Sequence, residues 1–158
     1  MGKVVTLDEL KCERERLRTE KKKVVFTNGC FDIIHRGHVE YLKGAKAMGD
    51  ALIVGVNSDS SVRRIKGPGR PIVNEADRMY VLATLIPVDY VCLFDEETPY
   101  ELIAAIVPDV LVKGSDWDVG SIIGRDIVEA GGGKVATIQF VQDRSTSSII
   151  KKILERCP

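Results

Sequence analysis

The sequence predicts a single α/β domain built on a doubly wound, five-stranded parallel sheet, with a helix at its N-terminus. Short apolar segments rich in β-branched residues alternate with segments of helical period along the chain. Such alternation favours a parallel sheet whose right-handed crossovers place helices on both faces. The length of 158 residues suits one domain with a sizeable core.

The first helix is predicted within residues 1–23, which we expect to form a helical extension to the main domain at residues 24–158. Thr6 and Glu9 have the spacing of a capping box. The helix should then run from Leu7 to about Glu20. Residues 11–23 contain seven basic and three acidic residues, which suits a solvated helix or, as an alternative, a helix that binds an anion or a partner.

Five apolar runs are predicted as the strands of the sheet. Their content of valine, isoleucine and leucine is typical of parallel strands buried on both faces. They cover residues 24–26, 51–56, 90–94, 110–112 and 134–140. Ligands of such sheets bind outside the carboxyl ends of the strands, so we expect the segments that follow each strand to carry the chemistry.

The helices between these strands are predicted from apolar periodicity and from capping residues at their ends. Glycines or prolines mark several of the boundaries. A short helix capped by Asp59 or Ser60 is predicted to end at residue 65, and Asn74 is predicted to cap the helix after it. The other predicted helices cover residues 37–49, 99–106, 125–130 and 146–154, and Ser145 is predicted to cap the last of them.

Two histidines follow the first predicted strand. His35 and His38, the only histidines of the chain, stand three residues apart at a helix start, so their rings lie on one face. That end of a helix has unpaired N–H groups and a positive partial charge, which suit an anion. Gly37 leaves room for a ligand near the backbone, and Asn28-Gly29 fits a tight turn. The segment is a candidate phosphate cradle.

The two histidines could instead be a partly buried surface pair or two ligands of a metal site. A zinc site usually needs three or four ligands, and Cys30 and Cys92 are not in metal-ligand spacing. We therefore predict no metal held by protein ligands alone. Cys30 lies close to His35 in sequence but is a poor candidate for a nucleophile.

Further cations and a helix start could also bind phosphate. Lys66 and Arg70 flank a loop with two glycines and two prolines, which suits either a mobile loop that closes on phosphates or a polar surface loop. Arg78 lies on a helix, where a solvated or salt-bridged arginine is more common. Ser145 starts a helix whose N–H groups would form a second anion site if it faced the first.

Composition argues against several classes of function. The 23 basic and 23 acidic residues give zero formal net charge, whereas a general nucleic-acid binder is usually basic. No GxGxxG follows the first strand, which disfavours a dinucleotide oxidoreductase, and the glycines before Lys134 lack the spacing of a phosphate-binding Walker A loop. Four scattered cysteines, and no signal peptide or long apolar run, predict a complete cytoplasmic chain without a membrane segment.

Residues 27–32 (TNGCFD), followed by His35-x-Gly37-His38, resemble the signature of the nucleotidyltransferase superfamily. Six further segments resemble, more closely, the D-glycero-β-D-manno-heptose 1-phosphate adenylyltransferases. They are GVNSDSSVRR at 55–64, KGPGRPI at 66–72, DRM at 77–79, VDYV at 88–91, PDVLVKG at 108–114 and ST at 145–146. The resemblance spans nearly the whole chain and implies a Rossmann-like nucleotidyltransferase domain at residues 24–158.

The resemblance implies that ATP and heptose 1-phosphate give ADP-heptose and pyrophosphate, for the inner core of lipopolysaccharide. It also implies a homodimer. These enzymes occur alone or fused to a sugar kinase, and because this sequence shows no kinase domain we expect a separate kinase to supply the sugar phosphate. We expect Mg²⁺ to bind with the triphosphate. An alternative is a cytidylyltransferase acting on glycerol 3-phosphate or phosphoethanolamine, because Trp117 replaces the usual tyrosine and resembles the glycerol-3-phosphate enzymes. A nucleotide-binding regulatory module without turnover is a third possibility.

The resemblance and the chemistry together suggest a role for each candidate residue. His35 and His38 are expected to donate hydrogen bonds to the α- and β-phosphates, with Lys66 and Arg78 as phosphate clamps. Arg70 and Asp59 are expected on the acceptor. The nucleotide is expected to contact Asn28, Gly29, Cys30, Phe31, Asp32, Gly37, Asn57, Lys113, Asp116, Trp117, Ser145, Thr146 and Ser147.

Overall fold

A parallel sheet forms the centre of the domain in the computed structural model, which describes residues 1–115, 119–139 and 144–157. Within those ranges the sheet has six strands in the order β1-β4-β3-β2-β5-β6, and every neighbouring pair is parallel. The strands are β1 (Lys3–Val5), β2 (Val24–Gly29), β3 (Ala51–Asn57), β4 (Tyr90–Phe94), β5 (Val110–Gly114) and β6 (Lys134–Ile138).

Helices connect the strands, and a 3₁₀ turn at Val119–Ser121 follows β5. The predicted caps Thr6, Asn74 and Ser145 each accept a backbone hydrogen bond at a helix start. Ser58, rather than Asp59 or Ser60, caps the third helix. The helices are α1 (Leu7–Thr19), α2 (Arg36–Lys46), α3 (Asp59–Lys66), α4 (Glu75–Thr84), α5 (Tyr100–Ile106), α6 (Arg125–Ala130) and α7 (Thr146–Arg156).

The doubly wound parallel sheet is confirmed, but the predicted count of five strands omits β1. This strand has only three residues, Lys3–Val5, and lies at the sheet edge beside β4. Its Val4 is 50% exposed, so the segment lacks the buried apolar run that identifies the inner strands. Short edge strands depend on pairing with a neighbour more than on their own pattern.

The predicted tight turn at Asn28-Gly29 is wrong, because β2 continues through both residues. Asn28 pairs with Gly55, and Gly29 pairs with Val56, in register with β3. The chain turns later, at Phe31 and Ile33, where the backbone φ angles are 48° and 32°. The longer strand carries Asn28 and Gly29 to the carboxyl edge of the sheet.

Two apolar layers cover the faces of the sheet. On one face α1, α5 and α6 pack through residues such as Leu10, Ile103 and Val128, and on the other α2 and α4 pack through Leu42 and Leu82. All five side chains are at most 4% exposed. Burial of this kind stabilises a fold by about 1.5–3 kcal/mol for each large aliphatic side chain.

The strand order reverses beside β2, and this places the functional cleft. From β2 the chain moves through β3 to β4 on one side, and then crosses to β5 and β6 on the other. In such sheets the crevice at the carboxyl ends of the two diverging strands is the usual ligand site. Across the described portion of the chain, each helix is too short or too polar to span a bilayer.

Candidate active site

A cleft of about 450 Å³ lies at the carboxyl edge of the sheet, above β2 and its neighbours. It receives residues that follow β2, β3, β4 and β5 and residues from the start of α7, in agreement with the expectation that the strand ends carry the chemistry. Its walls are formed by Asn28, Gly29, Cys30, Phe31, Asp32, His38, Tyr41, Asn57, Ile65, Lys66, Arg70, Glu97, Thr98, Pro99, Lys113, Gly114, Ile123, Thr146 and Ser147.

The two histidines stack at the start of α2. Their ring centroids lie 4.0 Å apart with an interplanar angle of 26°. His35 is the N-cap residue, and its Nδ1 accepts the Gly37 N–H at 3.1 Å. The proton of neutral His35 is therefore assigned to Nε2, which leaves an N–H donor on the outer side of the ring.

His38 is the more buried of the pair and lines the cleft. Burial, and to a lesser extent the charge of His35, lowers the pKa of His38 to about 4. Burial and then the Arg144 guanidinium lower the pKa of His35. Nδ1 of His38 is buried without a hydrogen-bond partner in the described structure. Both imidazoles are therefore neutral near pH 7, with hydrogen-bonding capacity available to a ligand.

The start of α7 lies directly beside the start of α2. A Cβ added to Gly37 would lie 3.2 Å from the Arg144 Cβ, directly before α7, and 2.9 Å from the His35 ring. The glycine therefore makes room for neighbouring protein groups, rather than only for a ligand. Ser145 caps α7 through the Ser148 N–H at 3.1 Å. Two helix N-termini thus lie close together, and the unpaired N–H groups of each suit an anion.

Arg144 is a candidate functional residue that the sequence reasoning missed. It places a cation next to His35, close enough to influence the titration of that ring. A signal was available in the sequence, because Arg144 immediately precedes the predicted cap Ser145. Its proximity to the histidines, however, depends on how the segment before α7 is placed beside the start of α2, which no local pattern reveals.

Asp32 anchors the loop that carries Lys66 and Arg70. Its carboxylate accepts hydrogen bonds from Arg70 Nε at 2.6 Å and from the N–H groups of Ile72 and Val73, each at 2.9 Å. Burial alone would raise the pKa of Asp32, but these donors outweigh it and hold that pKa below its ordinary value. Asp32 was expected on the nucleotide, and here its oxygens bind the loop.

Arg78 is buried at 1% exposure and holds the ends of two strands together. Its Nε donates to the Val73 carbonyl at 3.0 Å, Nη1 donates to the Cys30 carbonyl, and Nη2 donates to the Asn57 carbonyl at 2.9 Å and to Asp59 at 2.8 Å. The sequence suggested Arg78 as a phosphate clamp and Asp59 as an acceptor ligand. Both groups instead face each other below the cleft.

Lys66 and Lys113 are the lysines that reach the cleft walls. Lys113 Nζ donates to the Asn28 side chain and so connects the ends of β5 and β2. Lys66 ends α3 and makes neither a hydrogen bond nor an ion pair with any described residue. It is therefore the more available phosphate ligand. Burial raises the pKa of the Cys30 thiol, which argues against a nucleophilic thiolate.

Most of the predicted nucleotide ligands line the cleft, with several exceptions. Gly37 and Ser145 lie at the two helix starts behind the wall, and Asp116 and Trp117 lie outside the described residues. Sequence reasoning missed Tyr41, whose hydroxyl is 2.7 Å from Thr27 Oγ1 and donates to the Val112 carbonyl at 3.2 Å. It also missed the wall residues Ile65, Pro99 and Ile123, whereas Glu97, Thr98 and Gly114 fall in the segments after the strands where we expected the chemistry.

The chemistry of the cleft makes it a candidate phosphate site. Within the part of the chain that the structure describes, His, Cys, Asp and Glu side chains form no group of three that could hold a metal ion. Hydroxyl, amide, imidazole and ammonium groups are instead directed at one space. Such donors neutralise charge on phosphate oxygens.

The sequence profile described as Cytidylyltransferase-like matches residues 26–152, which include every cleft residue named above. The chain belongs to the cytidylyltransferase-like family. The matched region contains the stacked histidine pair, the loop between Lys66 and Arg70 (the Lys66 loop) and the start of α7.

Curated relatives of this cytidylyltransferase-like chain include proteins named Bifunctional protein HldE. That of Citrifermentans bemidjiense is 53% identical over 97% of this chain and 31% of its own length. That of Wolinella succinogenes is 54% identical over 96% of this chain and 31% of its own length. The chain therefore spans about a third of these relatives, and their bifunctional character leaves the expectation of a separate kinase unsupported.

Solved structures share the fold. The lipopolysaccharide core biosynthesis protein from Thermoplasma volcanium is 29% identical with a TM-score of 0.64, and the match covers 78% of this chain and 99% of that one. Pantoate-beta-alanine ligase from Francisella tularensis is 16% identical with a TM-score of 0.66 over 96% of this chain and 73% of that one. The second likeness concerns the fold alone.

Proposed function

We propose that the chain is an adenylyltransferase that transfers AMP from ATP to D-glycero-β-D-manno-heptose 1-phosphate, giving ADP-heptose and pyrophosphate. Membership of the cytidylyltransferase-like family supports the reaction class. The similarity to HldE proteins at about 50% identity and to a lipopolysaccharide core biosynthesis protein supports the sugar substrate. The segments at 55–64 and 66–72 support the same assignment through their resemblance to the heptose 1-phosphate enzymes.

One observation carries the proposal. A stacked pair of neutral histidines lies at a helix start and beside a second helix start, and Lys66 at the same cleft has no hydrogen-bond or ion-pair partner among the described residues. This arrangement offers many hydrogen-bond donors and little negative charge. A triphosphate has the complementary chemistry, because its oxygens accept hydrogen bonds and gain charge as the leaving group departs.

The reaction is an in-line displacement at the α-phosphorus. An oxygen of the sugar phosphate forms a new bond to that phosphorus, and the bond to the oxygen that bridges the α- and β-phosphates breaks. The electron pair of the broken bond leaves with pyrophosphate. The nucleophile is already anionic, so the protein needs no strong general base, and catalysis rests on positioning and charge neutralisation.

His35 and His38 would act as donors to the α- and β-phosphate oxygens. His35 is already oriented by the Gly37 N–H, which fixes the ring nitrogen available to the ligand. Burial lowers the pKa of His38 to about 4, and the negative charge of a triphosphate beside the ring would raise that pKa, because opposite charge favours the imidazolium. Proton uptake on binding would then strengthen both contacts as the pyrophosphate charge develops.

Lys66, the Thr146 and Ser147 positions and Mg²⁺ would share the remaining charge. Lys66 has no competing partner in the described residues and can reach phosphate, whereas Arg78 would act indirectly by fixing the ends of β2 and β3. When bound, Mg²⁺ neutralises the leaving phosphates. The described residues offer no three-ligand carboxylate or imidazole group, so the ion would be held mainly by triphosphate oxygens and water.

A pyrophosphate-release assay tests this function. Purified protein is incubated with Mg²⁺ and either ATP or CTP, each with heptose 1-phosphate, glycerol 3-phosphate or phosphoethanolamine. The proposal requires turnover with ATP and heptose 1-phosphate and formation of ADP-heptose. Turnover only with CTP and an alcohol phosphate would contradict it, as would binding of nucleotide without pyrophosphate release from any pair.

A further inference from the structure

The strand order divides the cleft into two halves. Lys113 and Gly114 at the end of β5, together with Thr146 and Ser147 of α7, lie on one side of β2. The other half is built after β3 and β4, on the opposite side of β2. It contains Asn57, Ile65, Lys66, Glu97 and Thr98. The two halves differ in chemistry as well as in position.

A carboxylate stands in the second half, in a cleft otherwise rich in donors. Glu97 makes neither a hydrogen bond nor an ion pair with any residue in the described ranges, although Lys66 lines the same cleft. A carboxylate near phosphate oxygens opposes phosphate binding. It is therefore expected to serve a different part of the ligand, and a carboxylate that accepts hydrogen bonds binds hydroxyl groups well.

The backbone that carries Glu97 is held in place by α3. Ser61 Oγ donates to the Glu96 carbonyl at 2.8 Å and accepts from the Asn57 side-chain amide at 3.0 Å. The Ser58 N–H, at the start of α3, donates to the Phe94 carbonyl at 2.8 Å. These contacts tie the segment after β4 to a cleft residue, so Glu97 and Thr98 are presented from a fixed backbone rather than from a free loop.

Hydroxyl recognition explains the set of side chains in this half. Thr98 adds a hydroxyl that donates and accepts, and the Asn57 amide keeps its oxygen as an acceptor because its nitrogen is bound to Ser61. Ile65 is 44% exposed and gives an apolar surface for ring carbons. Lys66 lines the same half and would meet phosphate oxygens where the two substrates join. A metal is a poorer explanation, since the described residues add no pair of ligands to Glu97.

We propose that Glu97 and Thr98 determine acceptor specificity by hydrogen bonding to hydroxyl groups of a polyhydroxylated sugar phosphate in the β3–β4 half of the cleft. The inference rests on the proposed transferase function and names residues that select its acceptor. It predicts that the nucleotide occupies the β5–α7 half. Neither side chain acts on the reacting phosphorus.

Binding measurements separate this role from a general electrostatic effect. Isothermal titration calorimetry measures the Kd of heptose 1-phosphate, of glycerol 3-phosphate and of a non-hydrolysable ATP analogue for the wild type, Glu97→Ala and Thr98→Val. Glu96→Ala is the matched control, because it removes the same charge one residue away from the cleft wall. All three residues are exposed, so we expect the variants to fold.

The sign of the change is diagnostic. Removing a negative charge should by itself tighten the binding of every anionic ligand. If Glu97 binds a hydroxyl group of the sugar, Glu97→Ala should instead raise the Kd of heptose 1-phosphate by about tenfold to a hundredfold. Thr98→Val should raise the Kd of heptose 1-phosphate by about threefold to tenfold. The Kd of glycerol 3-phosphate should rise by a smaller factor in both variants. The ATP analogue should bind all proteins with similar Kd.

Two results would overturn the inference. One is equal or tighter binding of heptose 1-phosphate by Glu97→Ala than by Glu96→Ala. The other is a selective loss of affinity for the ATP analogue, which would assign the carboxylate to the nucleotide. Pyrophosphate release is measured separately. If sugar binding depends on Glu97 but the wild type shows no turnover, the proposed transferase reaction is refuted. The assignment of the β3–β4 half of the cleft to the sugar phosphate would still be supported.

Discussion

Replacing Arg78 with lysine tests whether this residue supports the site or binds phosphate directly. The guanidinium is fully buried and donates to the carbonyls of Cys30, Val73 and Asn57 and to the Asp59 carboxylate. Lysine keeps the charge, but its ammonium has three donors at one point and cannot reproduce the planar fork. At least one of the four acceptors must lose its partner.

The size of the effect follows from these contacts. A buried acceptor left without a partner costs about 1–3 kcal/mol, and breaking a buried ion pair costs about 3–5 kcal/mol. Asp59 retains 23% exposure of its side chain, so water can compensate part of the loss. We therefore expect Arg78→Lys to lower the free energy of unfolding by about 3 kcal/mol. Turnover should also fall, since the ends of β2 and β3 would shift.

Lys66→Met is the contrasting variant. Lys66 has no hydrogen-bond partner in the described structure, so its loss should change stability by less than about 0.5 kcal/mol while turnover falls. Urea unfolding measures stability, and pyrophosphate release measures kcat and KM. If Arg78→Lys unfolds at the wild-type urea midpoint but has a strongly raised KM for ATP, Arg78 is a phosphate clamp and the structural assignment is wrong.

Three other perturbations test separate parts of the cleft. Folding lowers the pKa of His38 from 6.5 to about 4, so between these pH values the unfolded state binds more protons than the folded state. The free energy of unfolding should therefore fall by up to about 3 kcal/mol as the pH is lowered from 6.5 toward 4. Urea unfolding at a series of pH values should show a smaller decrease for His38→Gln than for the wild type. Gly37→Ala places a Cβ 2.9 Å from the His35 ring, so the ring must move. This variant should have a kcat lower by up to about a hundredfold, while its free energy of unfolding should change by less than about 1 kcal/mol. Asp32→Asn removes the charge that binds the Lys66 loop, and should speed tryptic cleavage of that loop as followed by mass spectrometry.

Each of these expectations has a contradicting result. An unfolding free energy that falls equally with pH in the wild type and in His38→Gln would assign the acid sensitivity to another group. Wild-type turnover by Gly37→Ala would show that the His35 ring position is not critical. Unchanged tryptic cleavage of Asp32→Asn would show that other contacts hold the loop.

The local pattern predicted the sheet, the histidine pair and the main helix caps because each depends on neighbouring residues. The capping box of Thr6 and Glu9 is an example, since both of its hydrogen bonds lie within one turn. The stacking of His35 and His38 likewise follows from their spacing at a helix start. These features required only helical geometry and side-chain chemistry.

The environments of individual charges could not be predicted in the same way. Arg78 and Asp32 look like exposed polar residues in the sequence, but contacts across 48 and 41 residues bury them. Glu97 reaches the cleft because α3 holds the segment after β4. Arg144 reaches His35 because the segment before α7 lies beside the start of α2. Each of these environments depends on contacts between segments that are distant in the chain, and the local sequence of one segment does not indicate which other segment it contacts.

The measurement that tests the account most directly compares wild-type protein with His38→Ala in one assay. Formation of ADP-heptose and pyrophosphate is followed with saturating ATP, Mg²⁺ and heptose 1-phosphate at pH 8, where His38 is neutral in the free protein and stability should not differ through its titration. The account predicts equimolar products from the wild type and a kcat lower by about a hundredfold or more in the variant. Equal turnover by both proteins would contradict it.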